Sequence, residues 1–257
     1  MNAVLKLIKN LQPVKENERT VSALEGTKLT SCSCGGDYIL TDCEIAETIH
    51  TWHAECASCK SIVGVPRRTI DPDYRAERLL KVSDLPASGQ RALEPHPGIA
   101  QATEALKQIV NHWPEIKRGV MLIGRPGTGK THLLARAGYK LIVEHVVRVR
   151  YSTLGMLLDA ASREMDDPTG SASRVWDTAA NCDLLILDDV GAERPTDYAV
   201  DRLARLIDER SREERPVIGA TNIDPAHWAD MFGERTASRL AGLTAPVAVT
   251  GQDRRQR

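Results

Sequence analysis

Residues 124–131 read GRPGTGKT and fit the pattern G-x-x-x-x-G-K-[ST] at every position. The pattern is typical of a loop that binds phosphate, because its glycines let the backbone approach an anion closely. Backbone N–H groups of the loop and of the following helix then face the anion. We expect Lys130 to reach the β- and γ-phosphates of ATP and the Thr131 hydroxyl to bind Mg²⁺. The predicted nucleotide-binding residues are Gly124, Arg125, Pro126, Gly127, Thr128, Gly129, Lys130, Thr131 and His132.

Two acidic residues, Asp188 and Asp189, follow the apolar run Leu184–Leu187. A carboxylate at the end of a central strand lies beside the loop that ends a neighbouring parallel strand. Asp188 is therefore expected to hold Mg²⁺ through water, and Asp189 to orient the attacking water. The alternatives are a glycine-rich turn that binds no nucleotide and a strand that ends in solvated acids.

Three polar residues further along the chain are candidates for the same site. Asn222 follows the apolar strand Val217–Thr221, and it either contacts the γ-phosphate or the water, or caps the next turn. Arg235 and Arg239 lie four residues apart and so on one helix face. In an oligomeric ATPase one of them would enter the neighbouring subunit's site as an arginine finger. Paired with local acids such as Glu234, they would be ordinary surface residues.

Five of the six cysteines lie between residues 32 and 59, and Cys182 stands apart as a core or interface residue. In a reducing cytoplasm such a cluster indicates metal ligands rather than disulfides. Cys43, His50 or His53 is an alternative for one ligand, and free buried thiols are the alternative to a metal site. Zinc binding releases about 10–16 kcal/mol, which is enough to fold a region this small. The thiolates best spaced for tetrahedral Zn²⁺ are Cys32, Cys34, Cys56 and Cys59.

The elements that must position these residues alternate between helix and strand from Ile99 onward, as in a parallel sheet with crossover helices. We predict a zinc-binding module at residues 1–70, a linker rich in proline and charge at 71–98, and an ATPase domain at 99–257. The predicted helices are Ile99–His112, Lys130–His145, Leu154–Met165, Ala172–Ala180, Asp197–Arg212 and Glu234–Leu240. The predicted strands are Val120–Ile123, Val146–Tyr151, Leu184–Leu187, Val217–Thr221 and Ala245–Val249.

The composition excludes several classes of protein. Hydrophobic residues make up 42% and charged residues 27%, which is ordinary for a globular chain. No apolar run approaches the roughly 18 residues of a membrane span, and we find no signal peptide, so we expect a cytoplasmic protein without a membrane partner. A net charge of -1 and 4% aromatic residues argue against a non-specific polyanion binder and an extended base-stacking surface.

Five segments resemble the DnaC/IstB branch of AAA+ ATPases in order and spacing. They read GRPGTGKTHLLARA, DLLILDDVGAER, TN, GERTASRL and GQDRR, and the likeness covers about residues 90–257. Within this branch the sequence is most similar to the DnaC-type replicative helicase loaders of bacteria and their phages. The resemblance implies an α/β fold, an additional-strand P-loop domain. Its parallel five-stranded sheet has the order 5-1-4-3-2 and helices on both faces, and here a small zinc-ribbon-like domain precedes it.

The resemblance also implies a role for each matching residue. The matches are Walker A Lys130 and Thr131, Walker B Asp188 and Asp189, sensor 1 Asn222, the arginine finger Arg239 and sensor 2 Arg255. Many AAA+ proteins have Glu where Asp189 stands, so we expect slow, partner-stimulated hydrolysis. We expect sensor 2 to come from a tail rather than from a helical lid domain. The helical block Thr153–Thr178 occupies the place of an insert that lines single-stranded DNA.

The function implied is an ATP-dependent loader that places a hexameric replicative helicase on single-stranded DNA. Its cofactors would be ATP, Mg²⁺ and Zn²⁺, and its copies would associate through their ATP sites. Residues 1–70 would dock the helicase, and the stripe Val4, Leu5, Ile8 and Leu11 either docks there or packs on its own domain. The alternatives are an IstB-type transposition helper ATPase and a nucleotide-gated binding module with little turnover.

Overall fold

The computed structural model describes residues 33–35, 38–42, 52–60, 62–65, 72–163, 171–191 and 196–253. The chain divides into two compact units, residues 1–78 and 79–257, with the boundary inside helix α1 (Pro72–Val82). The division into residues 1–70, 71–98 and 99–257 stays a prediction. Within the described residues, no helix is both long and apolar enough to cross a membrane.

The smaller unit contains a three-stranded antiparallel sheet of the order β1-β2-β3, formed by β1 (Tyr38–Asp42), β2 (Trp52–Cys56) and β3 (Ile62–Val65). Tyr38 lies opposite Cys56, so the segment that precedes β1 and the turn that follows β2 meet at one end of the sheet. That turn is closed by the Lys60 N–H, which donates to the Cys56 carbonyl over 3.0 Å.

The larger unit is built on a five-stranded parallel sheet. Its strands are β4 (Gly119–Ile123), β5 (Val149–Thr153), β6 (Leu184–Val190), β7 (Val217–Thr221) and β8 (Thr244–Ala248). Their order is β5-β6-β7-β4-β8, which is the order 5-1-4-3-2 read from the other edge when β4 counts as the first strand. The predicted fold is therefore confirmed. Pro246 lies at the centre of the edge strand β8.

Helices cover both faces of this sheet. They are α2 (Ala100–Asn111), α3 (Lys130–His145), α4 (Leu154–Arg163), α5 (Ser171–Asn181), α6 (Asp197–Arg212), α7 (Trp228–Phe232) and α8 (Glu234–Leu243). Successive side chains of a strand point to opposite faces. Leu185 and Leu187 accordingly join a buried cluster with α4–α8, whereas the Ile186 side chain lies against Gly138 of α3.

The predicted bounds of α3 and α6 match the structure, but the predicted strand Val146–Tyr151 begins too early. Val146 is instead the C-cap of α3, with a left-handed φ of 55° and its N–H donating to the Ile142 carbonyl. A helix that ends in this way must turn before a strand can form, so β5 starts at Val149.

The segment after α1 lies in the predicted linker, but in the structure it belongs to the larger unit and packs against β5 and α3. The Ser83 carbonyl accepts from the Tyr151 N–H of β5 over 2.8 Å, and Ser83 is fully buried. Beside it, the Arg150 guanidinium pairs with Asp84 at 2.6 Å. The chain then continues through a 3₁₀ turn at Ala87–Gln90, which packs on α3, and a second one before α2.

A buried arginine ties α5 to the sheet. The Arg210 guanidinium is fully buried and donates to the carbonyls of Ala179, Cys182 and Pro216 over 2.8, 3.1 and 2.8 Å. Burial lowers the pKa of Arg210, while the neighbouring Cys182 opposes that change. The bonds to Ala179 and Cys182 satisfy carbonyls at the end of α5, and the bond to Pro216 ties that end to the residue before β7.

Candidate nucleotide-binding site

The phosphate-binding loop is shaped by its own residues. Gly127 and Gly129 have φ angles of 77° and 97°, left-handed values that favour glycine. The Lys130 side chain is buried, and its Nζ donates to the Gly124 and Arg125 carbonyls over 2.7 and 2.9 Å. Because α3 begins at Lys130, its N–H groups face the loop. The loop and helix therefore form a site for an anion.

A row of hydrogen bonds brings three strand ends together at this loop. The Gly124 N–H donates to the Thr221 carbonyl at the end of β7, over 3.2 Å. The Thr221 hydroxyl in turn donates to the Val190 carbonyl at the end of β6, over 2.6 Å. The acids of β6 and Asn222 are thereby placed at the same edge of the sheet as the loop.

The Asp188 carboxylate is buried and held by two donors. Its Oδ2 accepts from the Tyr151 hydroxyl over 2.8 Å, and its Oδ1 accepts from the Asp189 N–H over 2.9 Å. Burial first, and then the negative charge of Asp188, raise the pKa of the Tyr151 phenol above its usual range. The phenol therefore stays protonated and remains a donor to Asp188. Sequence reasoning missed Tyr151, because a tyrosine within a strand carries no signal of such a contact.

Asp189 and Asn222 are both exposed at this edge. Asp189 has a left-handed φ of 50° and lies at an irregularity in the pairing of β6 with β7. The turn after β7 is capped by other residues: the Thr221 hydroxyl accepts from the Ile223 N–H over 3.0 Å, and Asp224 accepts from the Ala226 N–H over 3.0 Å. Asp224 is thus the N-cap of the short 3₁₀ helix Pro225–His227, and the contact of Asn222 with phosphate or water stays a prediction.

The two arginines of α8 share one acid, and it is not Glu234. Arg235 pairs with Asp208 of α6 over 2.8 Å, and Arg239 pairs with the same carboxylate. Both are thus bound within their own chain, and the arginine-finger role of Arg239 stays a prediction. Arg255, the predicted sensor 2, lies outside the described residues.

The end of the described chain lies against the phosphate-binding loop. The Val249 N–H donates to the Ile123 carbonyl over 2.7 Å, which carries the chain past the end of β4. A Cβ placed on Gly127 would clash with the Asp253 carboxylate. No motif in the sequence indicated that Asp253 reaches this loop.

The donor set fits a nucleotide bound with Mg²⁺. The loop offers N–H groups and the buried Lys130 ammonium for phosphates. Thr131, in the first turn of α3 next to Lys130, offers a hydroxyl. The Asp188 carboxylate supplies the hard oxygen donors that Mg²⁺ prefers. The left-handed φ of Gly127 favours glycine, which lets backbone and phosphate approach closely.

Three of the four predicted zinc ligands come together in the smaller unit. The sulfur atoms of Cys34, Cys56 and Cys59 lie within 4.8 Å of one another, and those of Cys34 and Cys56 are 3.4 Å apart. Three thiolates at such spacing fit one tetrahedral Zn²⁺. Cys32 lies outside the described residues, as do Cys43 and His50. The zinc site and its fourth ligand stay predictions.

A parallel sheet of this order, with a phosphate-binding loop after the fourth strand of the sheet and two acids near the end of the second, defines the additional-strand P-loop ATPases of the AAA+ class. The particular family follows from comparison with known proteins. The model of the IstB-like ATP-binding proteins matches residues 68–243, more than half of the chain. The chain belongs to this family, and the predicted DnaC/IstB resemblance is confirmed.

Within the family, individual proteins with known names or structures resemble this chain. The replicative helicase loader DnaC of Escherichia coli (strain K12) is 25% identical over 143 residues, or 56% of this chain and 58% of that loader. This chain therefore spans less than two thirds of the length of that relative. A crystal structure of the DnaC helicase loader has a TM-score of 0.57 at 21% identity and covers 68% of this chain and 99% of that one. A crystal structure of DnaI has a TM-score of 0.56 at 25% identity and covers 66% of this chain and 91% of that one.

Proposed function

We propose that this chain is an ATP-dependent loader that delivers a replicative ring helicase to single-stranded DNA. One observation carries the nucleotide part of the proposal. The hydrogen-bonded row through Gly124, Thr221 and Val190 places the loop and the Asp188 carboxylate at one edge of the sheet. The similarity to the replicative helicase loader DnaC supports the loading part.

In the proposed reaction, each residue at this edge has a separate task. Lys130 binds the β- and γ-phosphates, while Thr131 and Asp188 hold Mg²⁺. Bound Mg²⁺ neutralises charge that develops on the phosphates. Asp189 orients the attacking water, with Asn222 beside it. An Asp is shorter than a Glu by one methylene, so Asp189 holds the water less closely, and turnover is slow until a partner binds.

The proposed switch runs through self-association. Arg239 would leave Asp208 and enter the ATP site of a neighbouring copy, because a triphosphate offers more negative charge than one carboxylate. ATP would then favour the associated state and hydrolysis would reverse it. Arg255 is proposed to contact the nucleotide of its own chain as sensor 2.

The remaining parts of the chain are assigned to the two partners. The block Thr153–Thr178, which contains α4 and most of α5, is proposed to line single-stranded DNA. Residues 1–70 are proposed to dock the helicase. A structural Zn²⁺ held by Cys34, Cys56, Cys59 and Cys32 would stabilise that region.

Two other functions have support of their own. The family match to IstB-like proteins favours an IstB-type transposition helper, which would bind a transposase instead of a helicase. The shorter Asp at position 189, where many AAA+ proteins have Glu, favours a nucleotide-gated binding module with little turnover. Both alternatives use the same nucleotide site. The transposition helper differs in its partner, and the binding module differs in its rate of ATP hydrolysis.

The experiment uses the full-length chain as bait in host lysate with ATP and Mg²⁺, followed by mass spectrometry. We expect capture of a ring helicase by the wild type and also by Lys130→Ala, since docking is assigned to residues 1–70. With the purified helicase, only the wild type should deliver it to single-stranded DNA. Capture of a transposase without a helicase would favour the transposition helper. Turnover no faster than that of Asp188→Ala, with helicase and DNA present, would favour the binding module.

A further inference from the structure

Tyr151 contacts the acidic end of β6 from the neighbouring strand. It pairs with Ile186 in the sheet, so its hydroxyl reaches past one residue pair to the Asp188 carboxylate, 2.8 Å away. The exposed fractions of Tyr151 and Asp188 are 8% and 1%. Water is thus largely excluded from this contact.

A buried carboxylate needs donors, because taking an unpaired charge out of water costs several kcal/mol. Within the described part of the chain, the donors recorded for Asp188 are the Tyr151 hydroxyl and the Asp189 N–H, one on each oxygen. Two donors on two oxygens fix the plane of a carboxylate. Each oxygen can still accept a further bond, which leaves the carboxylate able to bind a metal-bound water.

We propose that Tyr151 is a positioning residue of the ATP site: its hydroxyl fixes the orientation in which Asp188 holds nucleotide-bound Mg²⁺. The inference rests on the proposed ATP site and is independent of helicase loading. Tyr151 touches neither phosphate nor water in this role and acts only through Asp188.

The backbone of Tyr151 is itself held from the outside of the sheet. Its N–H donates to the buried Ser83 carbonyl over 2.8 Å. The adjacent Arg150 donates to the Val82 carbonyl over 3.0 Å and pairs with Asp84 over 2.6 Å. An edge strand fixed at these points presents the Tyr151 hydroxyl in one place, as a positioning role requires.

The test is Tyr151→Phe, which removes the hydroxyl and keeps the ring. We measure binding of a fluorescent ATP analogue as Mg²⁺ is titrated, and again in EDTA. We expect the Mg²⁺ concentration for half-maximal effect to rise about tenfold, the size of a lost hydrogen bond to a charged group. Binding in EDTA should stay within about twofold, because Tyr151 contacts no phosphate. Tyr139→Phe is the matched control, since Tyr139 is also buried but lies in α3 beside Arg136.

A double-mutant cycle with Asp188→Asn separates positioning from general structure. If Tyr151 acts through Asp188, Tyr151→Phe should change the Mg²⁺ dependence in the wild type and add almost nothing to Asp188→Asn. An unchanged Mg²⁺ dependence in Tyr151→Phe, or equal losses in both backgrounds, would overturn the inference. The inference would also be overturned if Tyr151→Phe lost binding of the analogue in EDTA, under conditions in which the wild type binds it well. A wild type that binds no nucleotide would instead overturn the proposed function.

Discussion

The phosphate-binding loop and the acidic end of β6 are held in place in opposite ways. In the loop, Lys130 bonds to carbonyls five and six residues away, and Thr128 to one three residues away. At the end of β6, the Asp188 carboxylate depends on a hydroxyl 37 residues away in the chain. A locally built site tolerates changes elsewhere in the domain, whereas a site built from distant parts is sensitive to them.

The largest expected effect is at the start of β6, which also depends on a distant residue. Arg210→Met fills similar space but removes the donors to Ala179, Cys182 and Pro216. Losing these buried hydrogen bonds from a charged donor should lower the free energy of unfolding by about 3–5 kcal/mol. Chemical denaturation would measure the change. Arg205→Met, in the same helix but exposed and paired with Asp201, is the control and should cost less than about 1 kcal/mol. A similar loss in both variants would contradict the distant support of β6.

The next largest effect is expected in the phosphate-binding loop, where Gly127 sets the local backbone conformation. Gly127→Ala forces a side chain into a left-handed conformation, at a cost of about 1–2 kcal/mol, and against the Asp253 carboxylate. Affinity for ATP should therefore fall more than about tenfold, as measured by calorimetry. Stability of the rest of the domain should change little. Gly242→Ala in α8, where a Cβ meets nothing within 4 Å, should bind ATP like the wild type. Normal ATP binding by Gly127→Ala would show that the loop is not shaped as described.

A smaller effect concerns the contact between Tyr151 and Asp188, which should make the stability of the protein depend on pH. The pKa of Tyr151 is raised in the folded chain above its ordinary value of 10.0, whereas in the unfolded chain the phenol ionises near that value. The stability that this group contributes is complete below pH 10 and is lost as pH rises further. Between about pH 9 and 11 the wild type should lose up to about 1 kcal/mol more than Tyr151→Phe. Parallel denaturation curves for the two proteins across that range would contradict the buried contact.

The smallest effect concerns a contact between the loop and a distant part of the chain, the Asp253 carboxylate beside Gly127. Asp253 places a negative charge where phosphates are expected. Asp253→Asn removes the charge at constant size, so affinity for ATP should rise about two- to fivefold at low salt and less at high salt. Asp230→Asn, an exposed acid on α7, is the control. Unchanged or weaker ATP binding by Asp253→Asn would mean that the tail does not oppose the nucleotide.

The same distinction explains what could be predicted from the sequence. The loop, the following helix and the acids near the end of β6 were predicted because short patterns encode them. The sheet order followed from the family resemblance. Tyr151, Asp253 and Asp208 were missed, since each acts on a residue at least 27 positions away through packing alone. The start of β5 was misplaced because Val146, a strand-forming residue, ends a helix instead.

The guarded margins of the parallel sheet limit how copies of the chain can join. An exposed strand at a sheet margin invites a strand from another molecule to pair with it. Here the Tyr151 N–H already bonds to Ser83, and at the other margin Pro246 offers no N–H at all. Neither margin presents a full row of free backbone groups. The self-association proposed above would therefore use helices, loops and charged side chains of the larger unit, contacts that nucleotide could make and break, rather than an extension of this sheet.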